Sequence, residues 1–518
     1  MGKLDKNYFI LPLLYLIVLS YLIINTGLVS DDFALMARLK DKNFLDILIP
    51  KGIFYFIERP VVYFSHYIWY YFFQIDDLTI VNILKILYIF LSFYLISQFF
   101  KIFLDRQNAF LISFFFIFFP SHDSIVYSFI LHYLILSFAF YFYSFYLAYN
   151  NKLAFAFLSA LIASFISYGS SVIAIALFFL FTLHKEFKKG LVLLIPNILY
   201  SFYYIFLSKV MVVTIDKISM GSRLTGIDSY LIIKQFILQM LTFIDATVGP
   251  SMWIKIYYSF FQLSIPSIII GILLTTIFYK KFKNGNGLYN RKLILSFTVL
   301  TFLSFAMFAI TGHYPQLAFN LGNRVTIFGS LLLAYLIVLM PLSKKIKTLV
   351  FAVLIFTILG NSDHWKSWYL HQQQVIANIK NNQTLKNYHD TRVIYVSGNQ
   401  YSKYGPISHI EFLSEKWVTQ SLFKLVFKNR IQTEPLNKRH VYREGYLMDT
   451  KYNTKVKVDN YINIYDSEKD ILFKLDIEKI NNYIDSLPSD NRHWVQILNN
   501  KFINDIVIKL MPRLKYAL

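Results

Sequence analysis

Four short stretches hold the residues best suited to chemistry: Ser30-Asp31-Asp32-Phe33, Glu58-Arg59-Pro60, Pro120-Ser121-His122-Asp123-Ser124, and the pair formed by His313-Tyr314-Pro315 and Asn323-Arg324. Adjacent carboxylates such as Asp31 and Asp32 can take a proton from a hydroxyl or hold a divalent cation. When two carboxylates lie close, repulsion raises the pKa of one toward a useful range. The arginines Arg59 and Arg324 carry a planar fork that suits phosphate. His122 beside Asp123 suits orienting or binding an anion or a metal. Together these groups fit transfer from a lipid phosphate to an acceptor arriving from outside. Each also has a structural reading. An Asp pair after an apolar run is often a helix cap, and Arg59 or Arg324 can be a snorkelling anchor at a headgroup.

The elements that must position these residues are membrane helices. Of the 518 residues, 56% are hydrophobic and 16% charged, and the mean hydropathy is +0.47. A soluble domain carries about 25% charged residues, so a water-soluble enzyme is excluded in favour of a polytopic membrane protein. Apolar runs at 8–29, 78–104, 109–120, 127–149, 153–167, 172–183, 191–207, 254–279, 293–310, 325–340 and 348–359 predict about eleven spans, several shorter than the usual ~20 residues. The stretch 152–183 reads either as two short helices or as one segment bent at Tyr168-Gly169-Ser170-Ser171.

Charge orients the bundle. Lys3, Lys6, Lys101, Arg106, Lys152, Lys185, Lys188, Lys189, Lys280, Lys281, Lys283, Arg291, Lys292, Lys344, Lys345 and Lys347 fall in alternate connections, whereas 120–127, 168–171 and 312–323 contain no Lys or Arg. The positive-inside rule then predicts a cytoplasmic N-terminus and an extracytoplasmic tail. It also accounts for the net charge of +21 without nucleic acid as a partner. On this topology all four chemical stretches face one side. The outside loop 30–77 carries two amphipathic stretches, 42–57 and 60–74, expected to lie on the membrane surface, and 231–248 is expected to be interfacial or re-entrant.

The chain divides in composition at 361/362. The tail, 362–518, holds 23 of the 51 basic and 16 of the 30 acidic residues, which is the charge density of a domain in water. A strand at 393–398 and helices at 364–382 and 474–486 predict a small α/β domain there. His364, Trp365 and Trp368 read as an interfacial aromatic belt. With no cysteine, thiol chemistry is impossible. No Walker A loop, HExxH or G-x-S-x-G elbow occurs.

This layout resembles the GT-C superfamily of membrane glycosyltransferases. Asp31-Asp32-Phe33 stands directly after the first span, Arg59-Pro60 opens the second amphipathic stretch of the following loop, and Arg324 precedes a late span. The resemblance covers roughly 1–361 and rests on those short motifs. It implies an α-helical polytopic fold with an extracytoplasmic C-terminal domain, in a bacterial cytoplasmic membrane. It implies an inverting glycosyltransferase that moves a sugar from a polyprenyl-phosphate carrier to a glycan, lipid or protein acceptor of the cell envelope. Asp31 or Asp32 would be the base. Arg59, His122, Asp123, His313 and Arg324 would bind the lipid phosphate and sugar. Some members use a divalent cation, magnesium or manganese, for which Asp32, His122 and Asp123 are the candidate ligands. Two other readings compete. An O-antigen polymerase or ligase would not need the early Asp pair. A lipid-linked-sugar transporter would show inverted repeats and charges at the bilayer midplane.

Overall fold

The computed structural model describes residues 7–40, 75, 77–167, 169–206, 229–281, 289–311, 315–428, 430–497 and 500–510. The two amphipathic stretches expected at 42–57 and 60–74, with Arg59, lie outside the described residues, as does His313. The apolar runs fold as helices, which in lipid satisfy their backbone groups within each segment. The order is α1 (Asn7–Ile23), α2 (Ser30–Leu39), α3 (Thr79–Phe100), α4 (Arg106–Ile117), a 3-10 turn (Pro120–His122), the short α5 (Asp123–Tyr127) and α6 (His132–Tyr149). Then come α7 (Leu153–Ile166), α8 (Ser170–Leu183), α9 (Phe187–Phe206), α10 (Ser229–Thr247), α11 (Pro250–Phe261), α12 (Ile265–Lys281) and α13 (Arg291–Thr311). A second 3-10 turn (Leu321–Thr326), α14 (Ile327–Leu339) and α15 (Lys344–Asn381) complete the bundle.

Among the described residues, seven helical stretches are long and apolar enough to cross a membrane, and three further apolar helices are shorter. The protein is therefore a polytopic helical membrane protein, but the expected count of about eleven spans is not reached by length and composition. The expected single span at 254–279 is broken at Gln262–Ser264 into α11 and α12. Pro266 falls in the first turn of α12, where its missing N–H costs no helical bond, and Asp363 caps the new start by accepting bonds from Ser264 N–H and Oγ, both at 2.8 Å. Conversely, the span 348–359 and the helix 364–382 are one 38-residue helix, α15. Residue 361 thus lies inside a helix. Gly360 keeps α15 close to α11, since a Cβ there would stand 2.1 Å from the Ser259 carbonyl oxygen.

The helix ends sort onto two faces. On one, Phe103 packs on Tyr149 and His184, Lys189 reaches the Tyr149 carbonyl, Lys292 meets His184 and Lys344 lies over Tyr279. This face collects the basic connections. On the other sit the Asp31-Asp32 turn, the 120–130 segment, the 315–326 segment and the C-terminal domain. Lys234 and Asp245 of α10 both bond to the last segment of that domain, at the Lys509 carbonyl and the Trp494 Nε1. Helix α10 therefore runs beside that segment, but with α11 it forms the stretch 229–261, which by length and composition is one of the seven able to cross a membrane and not the expected interfacial or re-entrant stretch.

The C-terminal domain is α/β. A four-stranded sheet has the order β4 (Thr433–Pro435), β1 (Ile394–Ser397), β8 (Tyr461–Asp466), β9 (Ile471–Asp476). Strand β1 runs parallel to β4 and β8, and β9 closes the edge antiparallel to β8. A hairpin of β2 (Tyr401–Tyr404) and β3 (Ile407–Glu411) and a sheet of β5 (His440–Arg443), β6 (Tyr446–Asp449) and β7 (Thr454–Lys457) flank it. Helices α16 (Lys416–Phe427), α17 (Ile480–Ser486) and α18 (Lys501–Leu510) complete it. The helix expected over 474–486 begins only after Asp476, because residues up to there pair with β8. One hydrophobic core runs from Tyr15 and Phe33 through Trp365 to Phe412, Leu422 and Ile394, so the domain shares its interior with the bundle. His364, Trp365 and Trp368 are buried rather than forming a belt. The hairpin covers them, and His364 stacks on Tyr404.

Because native cysteine is absent, single introduced cysteines report each face cleanly. Lys438→Cys, on the C-terminal domain, should react with an impermeant maleimide in intact cells, and Lys188→Cys, on the basic face, should not. The opposite pattern would invert the orientation.

Candidate active site

Two buried carboxylates organise the face that carries the C-terminal domain. The first is Asp123, which opens α5. Its Oδ1 accepts from Lys255 Nζ at 2.7 Å and Asn323 Nδ2 at 2.6 Å. Its Oδ2 accepts from His409 Nε2 at 2.9 Å and Trp365 Nε1 at 3.0 Å. All five side chains are buried. Lys255 also donates to the Ala318 carbonyl at 2.7 Å, and Asn323 accepts from Ser124 Oγ. The Asn320 N–H donates to His409 Nδ1 at 3.1 Å, so the proton of this imidazole is on Nε2, facing Asp123. Burial keeps His409 below its ordinary pKa and hence neutral. Asp123 is therefore a saturated charge that joins α5, α11, the 315–326 segment, α15 and β3. It has no lone pair left for substrate.

The second is Asp32. Between α1 and α2 the chain turns through left-handed Asn25 (φ 61°) and Gly27 (φ +70°). A Cβ on Gly27 would meet Gln372 Oε1 at 2.6 Å. The turn delivers Asp32 into the core, where Oδ2 accepts from Val29 N–H at 2.8 Å and Phe129 N–H at 3.2 Å, and Oδ1 from Ile130 N–H at 2.7 Å and Ser128 Oγ at 3.2 Å. Lys85, buried within α3, donates to the Gly27 and Tyr127 carbonyls at 2.7 and 2.6 Å and supplies the balancing charge. Burial pushes Asp32 up to about 6, against the pull of these donors. Asp32 is thus the clamp that holds the α1–α2 turn against the 127–130 segment.

Asp31 behaves differently. It is half-buried, and among the described residues its one hydrogen bond comes from Trp417 Nε1 of α16, at 2.8 Å to Oδ1. Burial raises its pKa, and the negative charge of Glu411 adds to the rise. The Trp417 bond and the charges of Arg324 and Lys451 oppose it. Asp31 therefore stands within electrostatic reach of Arg324, on the second 3-10 turn, and of Glu411 and Lys451 in the C-terminal domain. The C-terminal domain is itself ion-paired here. Arg439 holds Glu415 through two bonds of 3.0 and 2.9 Å and also holds Asp449 at 3.0 Å. Glu411 accepts from Ser414 at 2.6 Å and Asn320 at 3.1 Å. Burial would raise its pKa, but Arg492, Lys451 and these donors hold it at about 2.

The expected site residues therefore separate. Asp31 and Arg324 lie within electrostatic reach of each other. Asp32 and Asp123 are buried, fully bonded structural charges. His122 turns away, its Nε2 3.3 Å from the Ile117 carbonyl and its ring packed on Phe116 and Phe119. As metal candidates, Asp32, His122 and Asp123 do not converge, and among the described residues no group of three His, Asp or Glu does. Residues that the sequence reading missed are Lys85, Lys255, His409 and Trp417, while Trp365 was read only as part of an aromatic belt. Lys85 and Lys255 had a signal, each being an ionisable residue inside an apolar helix, which is costly unless paired. Trp417 and His409 had none, since their partners lie hundreds of residues away.

Replacing Asp32 with Asn should remove the charge opposite Lys85 and turn a donor toward the N–H groups at Oδ2. The expected cost is about 3 kcal/mol. Asp123→Ala strands Lys255 and should cost about 3–5 kcal/mol. Asp31→Asn should cost under about 1 kcal/mol. Thermal unfolding in detergent reads all three, and equal melting of Asp31→Asn and Asp32→Asn would remove the distinction. Compared with protein-family models, curated proteins and solved structures, the chain matches none.

Proposed function

We propose that this protein is a membrane glycosyltransferase of the GT-C kind, which moves a sugar from a polyprenyl-phosphate carrier to a cell-envelope acceptor on the outer face of a bacterial cytoplasmic membrane. The observation that carries the reading is the state of Asp31. It is a half-buried carboxylate soon after the first helix, within electrostatic reach of Arg324 and bonded to Trp417 of the C-terminal domain. The collection of basic connections on the opposite face supports an outward-facing site.

In this mechanism the acceptor hydroxyl lies against Asp31. Its oxygen attacks the anomeric carbon from the side opposite the phosphate, Asp31 takes the proton, and the polyprenyl phosphate leaves with the bonding pair. One glycosidic bond forms as one sugar–phosphate bond breaks, with inversion. Arg324 stabilises the charge that grows on the departing phosphate, and Arg59 is proposed to share this task. Asp32 and Asp123 act through position, holding the turn that presents Asp31 and the segment that presents Arg324. A raised pKa makes Asp31 a stronger base than an ordinary carboxylate.

Asp31→Asn should lower transfer from undecaprenyl-phosphate-linked sugars by about a thousandfold or more while the protein stays folded. Arg324→Ala should lower it by about a hundredfold. Because the unprotonated base is required, the wild-type rate should fall as pH drops through the pKa of Asp31, on a limb above the ordinary carboxylate value of about 4. Full activity in Asp31→Asn would remove the proposed base.

A further inference from the structure

The C-terminal domain sets two aromatic rings beside Asp31. Trp417 and Tyr452 have ring centroids 5.8 Å apart, with planes at 71°. Both are 42% exposed, although Trp417 is held by its bond to Asp31 and Tyr452 by a 3.0 Å bond from its hydroxyl to Glu415 Oε2. An open aromatic corner so firmly tethered is unusual. Its floor is the buried carboxylate of Glu415, which is gripped by Arg439 and Lys451. These cations also lie against the Tyr452 ring, at 5.4 and 5.1 Å. The corner is thus preorganised, and its rings do not have to be ordered when a ligand arrives.

The charges select the ligand. Asp31, Glu411, Glu415, Asp449 and Asp490 face Arg324, Lys451, Arg439 and Arg492, five acidic groups against four basic ones, and most are ion-paired with one another. A wall of paired charges so close to neutral attracts neither a polyanion nor a polycation, and favours a neutral molecule rich in hydroxyls. A pyranose ring has an apolar C–H face that packs on an aromatic plane, and a rim of hydroxyls for the less buried Asp31 and Lys451. From this geometry we infer that Trp417 and Tyr452 form the acceptor subsite, binding a neutral carbohydrate ring whose hydroxyl then reaches Asp31. The inference rests on the transferase reading for its role, but not for the binding itself. Trp417 acts twice. Its ring carries the sugar, and its N–H fixes the orientation of the base.

The test uses full-length protein in nanodiscs on a printed array of bacterial envelope oligosaccharides. The wild type should bind at least one glycan. Trp417→Ala and Tyr452→Ala should each weaken that binding by about tenfold, and Trp417→Phe, which keeps a ring, should restore most of it. Should Trp417→Ala fail to fold, Tyr452→Ala reads the same subsite. Binding unchanged in both alanine variants, or no glycan bound by the wild type, overturns the subsite. Sugar release from undecaprenyl-phosphate donors is measured in parallel. Ring-dependent glycan binding without release would sink the transferase reading and keep the subsite. Release with ring-independent binding would do the reverse.

Discussion

A carboxylate buried at the end of a membrane helix must be fully bonded or it is intolerable, and Asp123 meets that demand from four other places in the chain. Its four donors come from α11, the 315–326 segment, α15 and β3. Breaking one partner of such a buried set costs several kcal/mol even when forming the whole set gains little. The arrangement therefore acts less as a source of net stability than as a specification of where those five segments lie. Only one placement of the β2–β3 hairpin brings His409 to Oδ2 with its other nitrogen against Asn320. Once it is there, Arg324, four residues beyond Asn320, and the C-terminal domain beside Asp31 are in place too.

Asp32 does the same for the opposite wall. Helix α2 could leave α1 in many directions. The two left-handed residues of the turn, the four donors around Asp32 and the Lys85 charge choose one. In that direction the neighbouring side chain, Asp31, emerges beside Trp417. A pair of identical residues thus divides according to environment. The inward carboxylate gives up all its acceptor capacity to hold the backbone, and the outward one takes a single bond among the described residues. In the transfer we propose, Asp31 on its rigid turn and Arg324 on its pinned 3-10 segment form a preorganised base and cation, which is how electrostatic catalysis avoids reorganisation at the moment of reaction.

Much of the bundle was legible from the sequence, because apolar runs and the placement of lysines are both imposed by the bilayer. The strand at 394–397 was equally clear from its apolar run and its terminal glycine. The breaks were not. Gln262–Ser264 interrupts a helix because Asp363, a hundred residues later, caps the new start. The continuous α15 hides the junction at residue 361 because a long helix can pass from lipid to water by composition alone. At the site, Asp31 and Arg324 stood out through residue type and position. The different roles of Asp31 and Asp32 could not be read, since adjacent identical residues differ only in what faces them. His122 beside Asp123 looked like a functional pair, but neighbours at the start of a helix point apart.

The central claim is that Asp31 and Arg324 bracket the reacting bond of a lipid-phosphate sugar. A cryo-EM structure of the protein in nanodiscs, with an undecaprenyl phosphonate sugar that cannot be cleaved, tests it most directly. The account predicts the phosphonate against the Arg324 guanidinium and the anomeric carbon turned toward Asp31, with Trp417 and Tyr452 still open on the acceptor side. A phosphonate bound away from Arg324, or a sugar turned from Asp31 toward the basic face, would contradict it.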